Sequence, residues 1–206
     1  MEYSFHIFNK MAADGVAMAT DRLLNHDKNR KNRKTTGAGM RLIDENRPPV
    51  LICIGSDLAI GDSLGPIVGS MLKFKTQGLN VFLYGTLAAP VTAKEIPYMR
   101  TFLKETHPNS QVLAIDAAVG EEGDIGLIKL NDTPLMPGAG ANKRLGSLGD
   151  ISLMGVIAEK SLTNYGLLNT TRLNLVYSMA EIVSDGLAAL LWERCARQKT
   201  AKSMEA

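Results

Sequence analysis

Two short uninterrupted apolar runs constrain this chain's fold more than any other feature: Val50-Leu51-Ile52-Cys53-Ile54 and Val112-Leu113-Ala114-Ile115. A strand with one wet face alternates apolar and polar side chains, whereas a strand covered on both faces is apolar throughout. Both runs are too short for a helix, so each reads as a buried parallel strand, Val50–Ile54 and Val112–Asp116. Parallel neighbours need crossover connections, and the sequence supplies them. Ser63–Lys75 carries Leu64, Ile67, Val68, Met71 and Leu72 on one helical side, and Lys94–Glu105 is a second helix candidate. Val81–Tyr84, Gly126–Leu130 and Ile151–Ile157 are further strand candidates. Leu173–Trp192 forms a long last helix with Leu175, Val176, Met179, Ile182, Val183, Leu187, Leu190 and Leu191 as its apolar stripe. Strands alternating with helices predict an α/β chain on a mostly parallel sheet covered on both faces.

A chain of 206 residues fits one domain. Pro48-Pro49 opens it, so residues 48–197 read as a single α/β domain, 1–47 as an N-terminal extension and 198–206 as a flexible tail. Within the extension, 9–26 is a helix candidate with Met11, Val16, Met18, Leu23 and Leu24 on its apolar side. Lys28 to Lys34 then places five positive charges in seven residues, a solvated linker or an arm for a polyanion. The net charge is only +2, which gives no general case for DNA or a membrane as partner. The start of the chain lacks a signal-peptide pattern, and no apolar run approaches the roughly 20 residues that span a bilayer. A soluble, cytoplasmic protein is expected. Cys53 and Cys195 form no CxxC or metal-ligand spacing and read as reduced thiols.

The stretch from Ile54 to Pro66, IGSDLAIGDSLGP, lies between a buried strand and a helix, where α/β proteins place ligands. Its spacing is not GxGxxG and no Gly-Lys-Ser/Thr follows, so it is no nucleotide fingerprint. Asp62 is placed to cap the following helix, a structural role that competes with a chemical one. Asp116 closes its apolar run at the carboxyl edge of the second strand. If the two strands are neighbours, Asp62 and Asp116 converge on one crevice. Such a pair can share a proton and activate water for amide hydrolysis, or share a divalent metal. The residues do not choose between these, and the cofactor stays unassigned. Asp57, Gly61 and Ser63 of the same loop are candidate substrate or ligand contacts. His6, His26 and His107 are read as lying outside the crevice, so Ser63 and Ser147 have no base and neither cysteine has a histidine partner. The loop from Pro134 to Gly149, with Gly138, Gly140 and Gly146, is long enough to be functional.

From about Pro49 to Ala189 the chain resembles the YyaC family of sporulation proteins. The segments that carry the likeness are CIGSDLAIGDSLGPIVG, YGTLAAPVTA, AIDAAVG, GAGANKRLGSLGDISLMGV and LLNTTRLNLVYSMAEIV. More distantly, GDSLGP, IDA and the Gly140–Arg144 loop are similar to the germination protease that degrades small acid-soluble spore proteins. The resemblance implies a three-layer sandwich of the hydrogenase-maturation-protease (phosphorylase/hydrolase-like) type, with Asp62 and Asp116 as the catalytic pair. It adds Asn142 and Lys143 as loop contacts. Hydrogenase maturation proteases carry an acid at each of the two positions and a histidine as third nickel ligand, for which this chain has no counterpart. The implied function is a spore-associated peptidase of the forespore or spore core, with small acid-soluble spore proteins or another spore protein as partner. The alternative is a non-catalytic sporulation protein that keeps a peptidase-like pocket for a ligand or partner.

Overall fold

In the structure, a computed structural model that describes residues 1–30, 47–137, 146–160 and 171–204, the two apolar runs lie side by side. Strand β2 (Val50–Cys53) pairs in parallel with β4 (Val112–Gly120), Val50 opposite Val112 and Cys53 opposite Ile115. On the far side of β2 lies β3 (Phe82–Tyr84), also parallel. Beyond β4 come β6 (Ile151–Glu159), parallel, then β5 (Leu127–Asn131) and β1 (Glu2–His6), each antiparallel to its neighbour. The six-stranded order is β1-β5-β6-β4-β2-β3.

Alternation along β2 and β4 divides the apolar runs between two cores. Leu51, Cys53, Leu113 and Ile115 join Leu153 on one face. That face is covered by α1 (Ala12–Arg30), α2 (Leu64–Lys75) and α4 (Leu173–Met204). Val50, Ile52, Val112 and Ala114 meet Ile96, Met99 and Leu103 of α3 (Ile96–Thr106) on the other. The sheet is thus the middle of three layers, as a doubly covered strand pair demands. Burying a large apolar side chain contributes about 1.5–3 kcal/mol. The continuous runs therefore stabilise both interfaces at once.

Four expectations need correction. The first 30 residues are no extension: β1 adds an edge strand, and Val16, Ala19, Leu23 and Leu24 of α1 enter the larger core. Its helix runs over Ala12–Arg30 rather than 9–26, so the basic run begins inside α1; residues 31–34 lie outside the described residues. Strand β4 continues four residues past Asp116. Finally, α4 reaches Met204, through most of the segment expected as a tail. By length and composition alone α4 could cross a membrane. Here Val176, Met179, Ala180, Val183 and Leu187 face the protein core instead.

Candidate active site

The crevice arises because β2 ends before β4 does. The last β2–β4 pair is Cys53 with Ile115, and the Ile54 N–H donates to the Ile115 carbonyl at 2.7 Å. Asp116 is the first residue of β4 beyond that point, and it still pairs with Met154 of β6 on its other side. The carboxylate expected at a strand end therefore sits mid-strand, and the neighbouring strand is the one that stops. From β2 the chain proceeds outward to β3, whereas β4 leads to β5 and then β6 on the opposite side. Asp116 thus lies at the topological switch point, where open α/β sheets bind ligands.

Asp62 reaches the same place through a closed loop. After β2 the Gly55 N–H donates to the Val91 carbonyl at 3.0 Å, and the Ser56 N–H to the Asp62 carbonyl at 2.9 Å. The Asp62 N–H donates to the Ala59 carbonyl at 3.0 Å, within a single 3-10 turn over Ile60–Ser63. That turn packs against β4, α2 and α4. At its exit Gly65 presses on the end of β2: a Cβ there would lie 2.0 Å from the Ile54 carbonyl oxygen. Only glycine allows helix α2 to start so close to the strand. The capping role foreseen for Asp62 is not realised. The N-cap position of α2 is Ser63, whose side chain makes no capping hydrogen bond.

Asp116 lies within the electrostatic reach of Asp62. Asp116 is half-buried, and its Oδ1 accepts a 2.8 Å hydrogen bond from the Ala117 N–H. Desolvation pushes its pKa well above the ordinary carboxylate range, the Asp62 charge pushes it further, and the Ala117 N–H pulls back only in part. Asp116 therefore keeps its proton at pH values where an ordinary aspartate has lost it. A carboxyl that keeps its proton beside a second acid is the arrangement that lets a pair act as acid and base.

The other expected contacts divide. Gly61 is buried in the turn. Ser63 is buried too, but its hydroxyl donates to the Ile60 carbonyl at 2.6 Å, so it serves its own backbone. Asp57 and Ser147 are exposed. Asn142 and Lys143 lie outside the described residues. The loop carrying them is closed at its base by reciprocal hydrogen bonds between Leu135 and Leu148. The Asp150 N–H just beyond donates to the Val112 carbonyl, at the opposite edge of the sheet from Asp116. His107 packs below α3 with its Nε2 2.7 Å from the Tyr84 hydroxyl. His6 ends β1, which β5 and β6 separate from β4; the His26 side chain lies outside the described set. Complete burial pushes the Cys53 thiol far up and leaves it inert.

Two carboxylates offer hard oxygen donors suited to a divalent cation. Among the described residues no group of three His, Cys, Asp or Glu is arranged to hold one. A metal at Asp62 and Asp116 would find no third ligand of these types among the described residues.

Two features carry no signal in the sequence reading. One is the Ala117 N–H, a backbone donor invisible to side-chain motifs. The other is Val91 of the segment YGTLAAPVTA, which bridges to Ile54 and holds Gly55.

Comparison with known proteins agrees with the family resemblance. A family model described as "Protein of unknown function (DUF1256)" matches residues 24–186. "Uncharacterized protein YyaC" of Bacillus subtilis (strain 168) is 39% identical over 142 residues, 69% of each chain. Among solved structures, a [NiFe] hydrogenase maturation protease HycI from Thermococcus kodakarensis KOD1 aligns with a TM-score of 0.46 and 18% identity. The alignment covers 71% of this chain and 94% of that one.

Proposed function

The chain belongs to the DUF1256 family, and for it we propose a peptidase activity in which Asp62 and Asp116 activate water against a peptide bond. One observation carries this reading: a half-buried acid with a strongly raised pKa lies beside a second acid at the switch point of the sheet. Perturbed acids in such a crevice are characteristic of catalytic sites. Asp62 takes a proton from the water as its oxygen attacks the scissile carbonyl. Asp116 donates its proton to the carbonyl oxygen as negative charge develops there. Collapse of the tetrahedral intermediate breaks the C–N bond, and the proton on Asp62 passes to the leaving amine. Asp116 regains its proton from the hydroxyl as the new carboxyl group forms. Each carboxyl returns to its starting state, so turnover needs no further reactant.

The likeness of GDSLGP and IDA to the germination protease supports the same two residues and suggests small acid-soluble spore proteins as substrates. A cytoplasmic location in the forespore or spore core fits that substrate. The test incubates purified protein with small acid-soluble spore proteins, with and without chelator, beside the Asp62→Asn/Asp116→Asn double variant. Products are read by mass spectrometry. Cleavage by the wild type and at least 100-fold less by the variant is the expected result. Loss of cleavage with chelator assigns a divalent metal to the pair, and equal cleavage by both proteins removes the two acids from the chemistry. A folded wild type that cleaves nothing, yet gains thermal stability from a spore peptide, favours the non-catalytic binding protein.

A further inference from the structure

We propose that Gly55 is the positioning residue that sets Asp62 against Asp116. The inference rests on the acid pair being the working site. Gly55 has a φ of 140°, a conformation that residues with a Cβ rarely adopt. The space beside it is closed as well. A Cβ built at Gly55 would lie 2.1 Å from the Asp62 carbonyl oxygen and 3.0 Å from Cδ of Pro66. Contacts under 3.0 Å essentially never occur for a real Cβ, so one of the two backbones would have to retreat.

Gly55 is poorly placed to move. Its N–H is bonded to the Val91 carbonyl, and Ile54 before it is held to Ile115 and bridged to Val91. The Asp62 backbone is bonded inside its own loop, to Ser56 and Ala59, in a single 3-10 turn over Ile60–Ser63. Displacement therefore passes to the Asp62 backbone. The missing Cβ at position 55 thus fixes how near the Asp62 carboxylate stands to Asp116. The atoms nearest a Cβ at Gly55 are the Asp62 carbonyl oxygen, Cδ of Pro66 and the Asp62 carbonyl carbon. Its influence on Asp62 runs through the Asp62 carbonyl, against which a Cβ at position 55 would press.

The test is a double-mutant cycle in the full-length protein, read by thermal unfolding, which needs no substrate. Asp62→Asn and Asp116→Asn are made singly and together, first with Gly55 in place and then with Gly55→Ala. In the wild-type background the two Tm shifts should fail to add by a few degrees, the mark of interacting neighbours. In the Gly55→Ala background they should add within error. Gly123→Ala, where an added Cβ meets nothing within 4 Å, is the control and should leave the coupling intact.

Ser56→Pro deletes the N–H that holds the Asp62 carbonyl without adding a Cβ at position 55. It should reduce the coupling in the same direction, and it serves if Gly55→Ala does not fold. Undiminished coupling in a folded Gly55→Ala or Ser56→Pro protein overturns the proposal. So does failure of both variants to fold, which would make the glycine a requirement of the fold rather than of the pair. Cleavage is measured in parallel. A wild type that cleaves nothing but shows the coupling refutes only the peptidase reading, whereas cleavage retained in Gly55→Ala with its coupling intact refutes only the positioning role.

Discussion

An ionised Asp116 would have the Ala117 N–H as its hydrogen-bond donor, with Asp62 as a like-charged neighbour. Its folded-state pKa consequently stands above the unfolded value, and the sign of the linkage follows. Between the two values the native chain holds a proton that the unfolded chain has released. Stability contributed by Asp116 is then present below the ordinary carboxylate range and lost as pH rises through the folded pKa. Asparagine cannot ionise and lacks this loss. The Asp116→Asn protein should match the wild type near pH 3–4, the range of unperturbed aspartate, and exceed it at neutral pH. Each tenfold loss of acidity is worth about 1.4 kcal/mol, or about 3–6 °C in Tm for a chain of this size. Thermal scans of both proteins across pH check this, and curves separated by a constant gap would show that Asp116 titrates normally. The carboxylate was legible in the sequence because it ends an apolar run. Its mid-strand position was not, since Ala117-Ala118-Val119-Gly120 reads as easily as a loop once a charge has interrupted the pattern. Whether Asp62 capped a helix or faced a crevice was likewise open. That depends on one 3-10 turn, whose hydrogen bonds leave no periodic trace.

Helix α4 is the element on which the larger core depends. Val176, Met179, Ala180, Val183 and Leu187 follow helical spacing and are almost completely buried. The helix packs against both α1 and α2 as well as β6. Leu187→Ala removes methyl groups from a side chain only 1% exposed, with little freedom for its surroundings to collapse. It should lower the unfolding free energy by about 2–5 kcal/mol with an unchanged urea m-value. A loss under about 0.5 kcal/mol, the scale of an ordinary surface substitution, would mean that α4 is not seated as described. The stripe was readable because helical periodicity accumulates over many turns. Strand β1 was not readable for the opposite reason. Its five residues, Glu2-Tyr3-Ser4-Phe5-His6, alternate as an edge strand should, with Tyr3 and Phe5 turned toward the core. So short an alternation also occurs by chance, and only pairing with β5 distinguishes it.

At the scale of the whole molecule, the first 30 residues are tied to the domain at three levels. Strand β1 pairs with β5 over five residues, from Glu2 with Asn131 to His6 with Leu127. Helix α1 crosses α4 closely enough that a Cβ at Gly186 would lie 2.5 Å from the Ala13 carbonyl oxygen. Polar contacts close the remaining gaps: Gln111 Nε2 donates to the Leu24 carbonyl at 2.7 Å, and Arg194 Nε lies 3.2 Å from Asp21 Oδ1. The ion pair is partly exposed and is worth little by itself. The apolar seam beneath it matters more, because Val16, Ala19, Leu23 and Leu24 close the core beside Val183 and Leu187. Removing residues 1–30 would uncover that seam on α4 and leave β5 with a row of unpaired N–H and C=O groups. An open edge beside an exposed apolar face is a template for aggregation. The truncated protein should be insoluble, or soluble only as aggregates, by size-exclusion chromatography. A truncated chain that runs as a monomer and unfolds cooperatively would instead restore the view of this segment as an appendage. The basic run would then be free to act as an arm for a polyanion. With α1 seated, Lys28 and Arg30 belong to the end of a helix whose earlier residues are anchored in the core, and replacing both with Gln should leave the fold and the Tm unchanged.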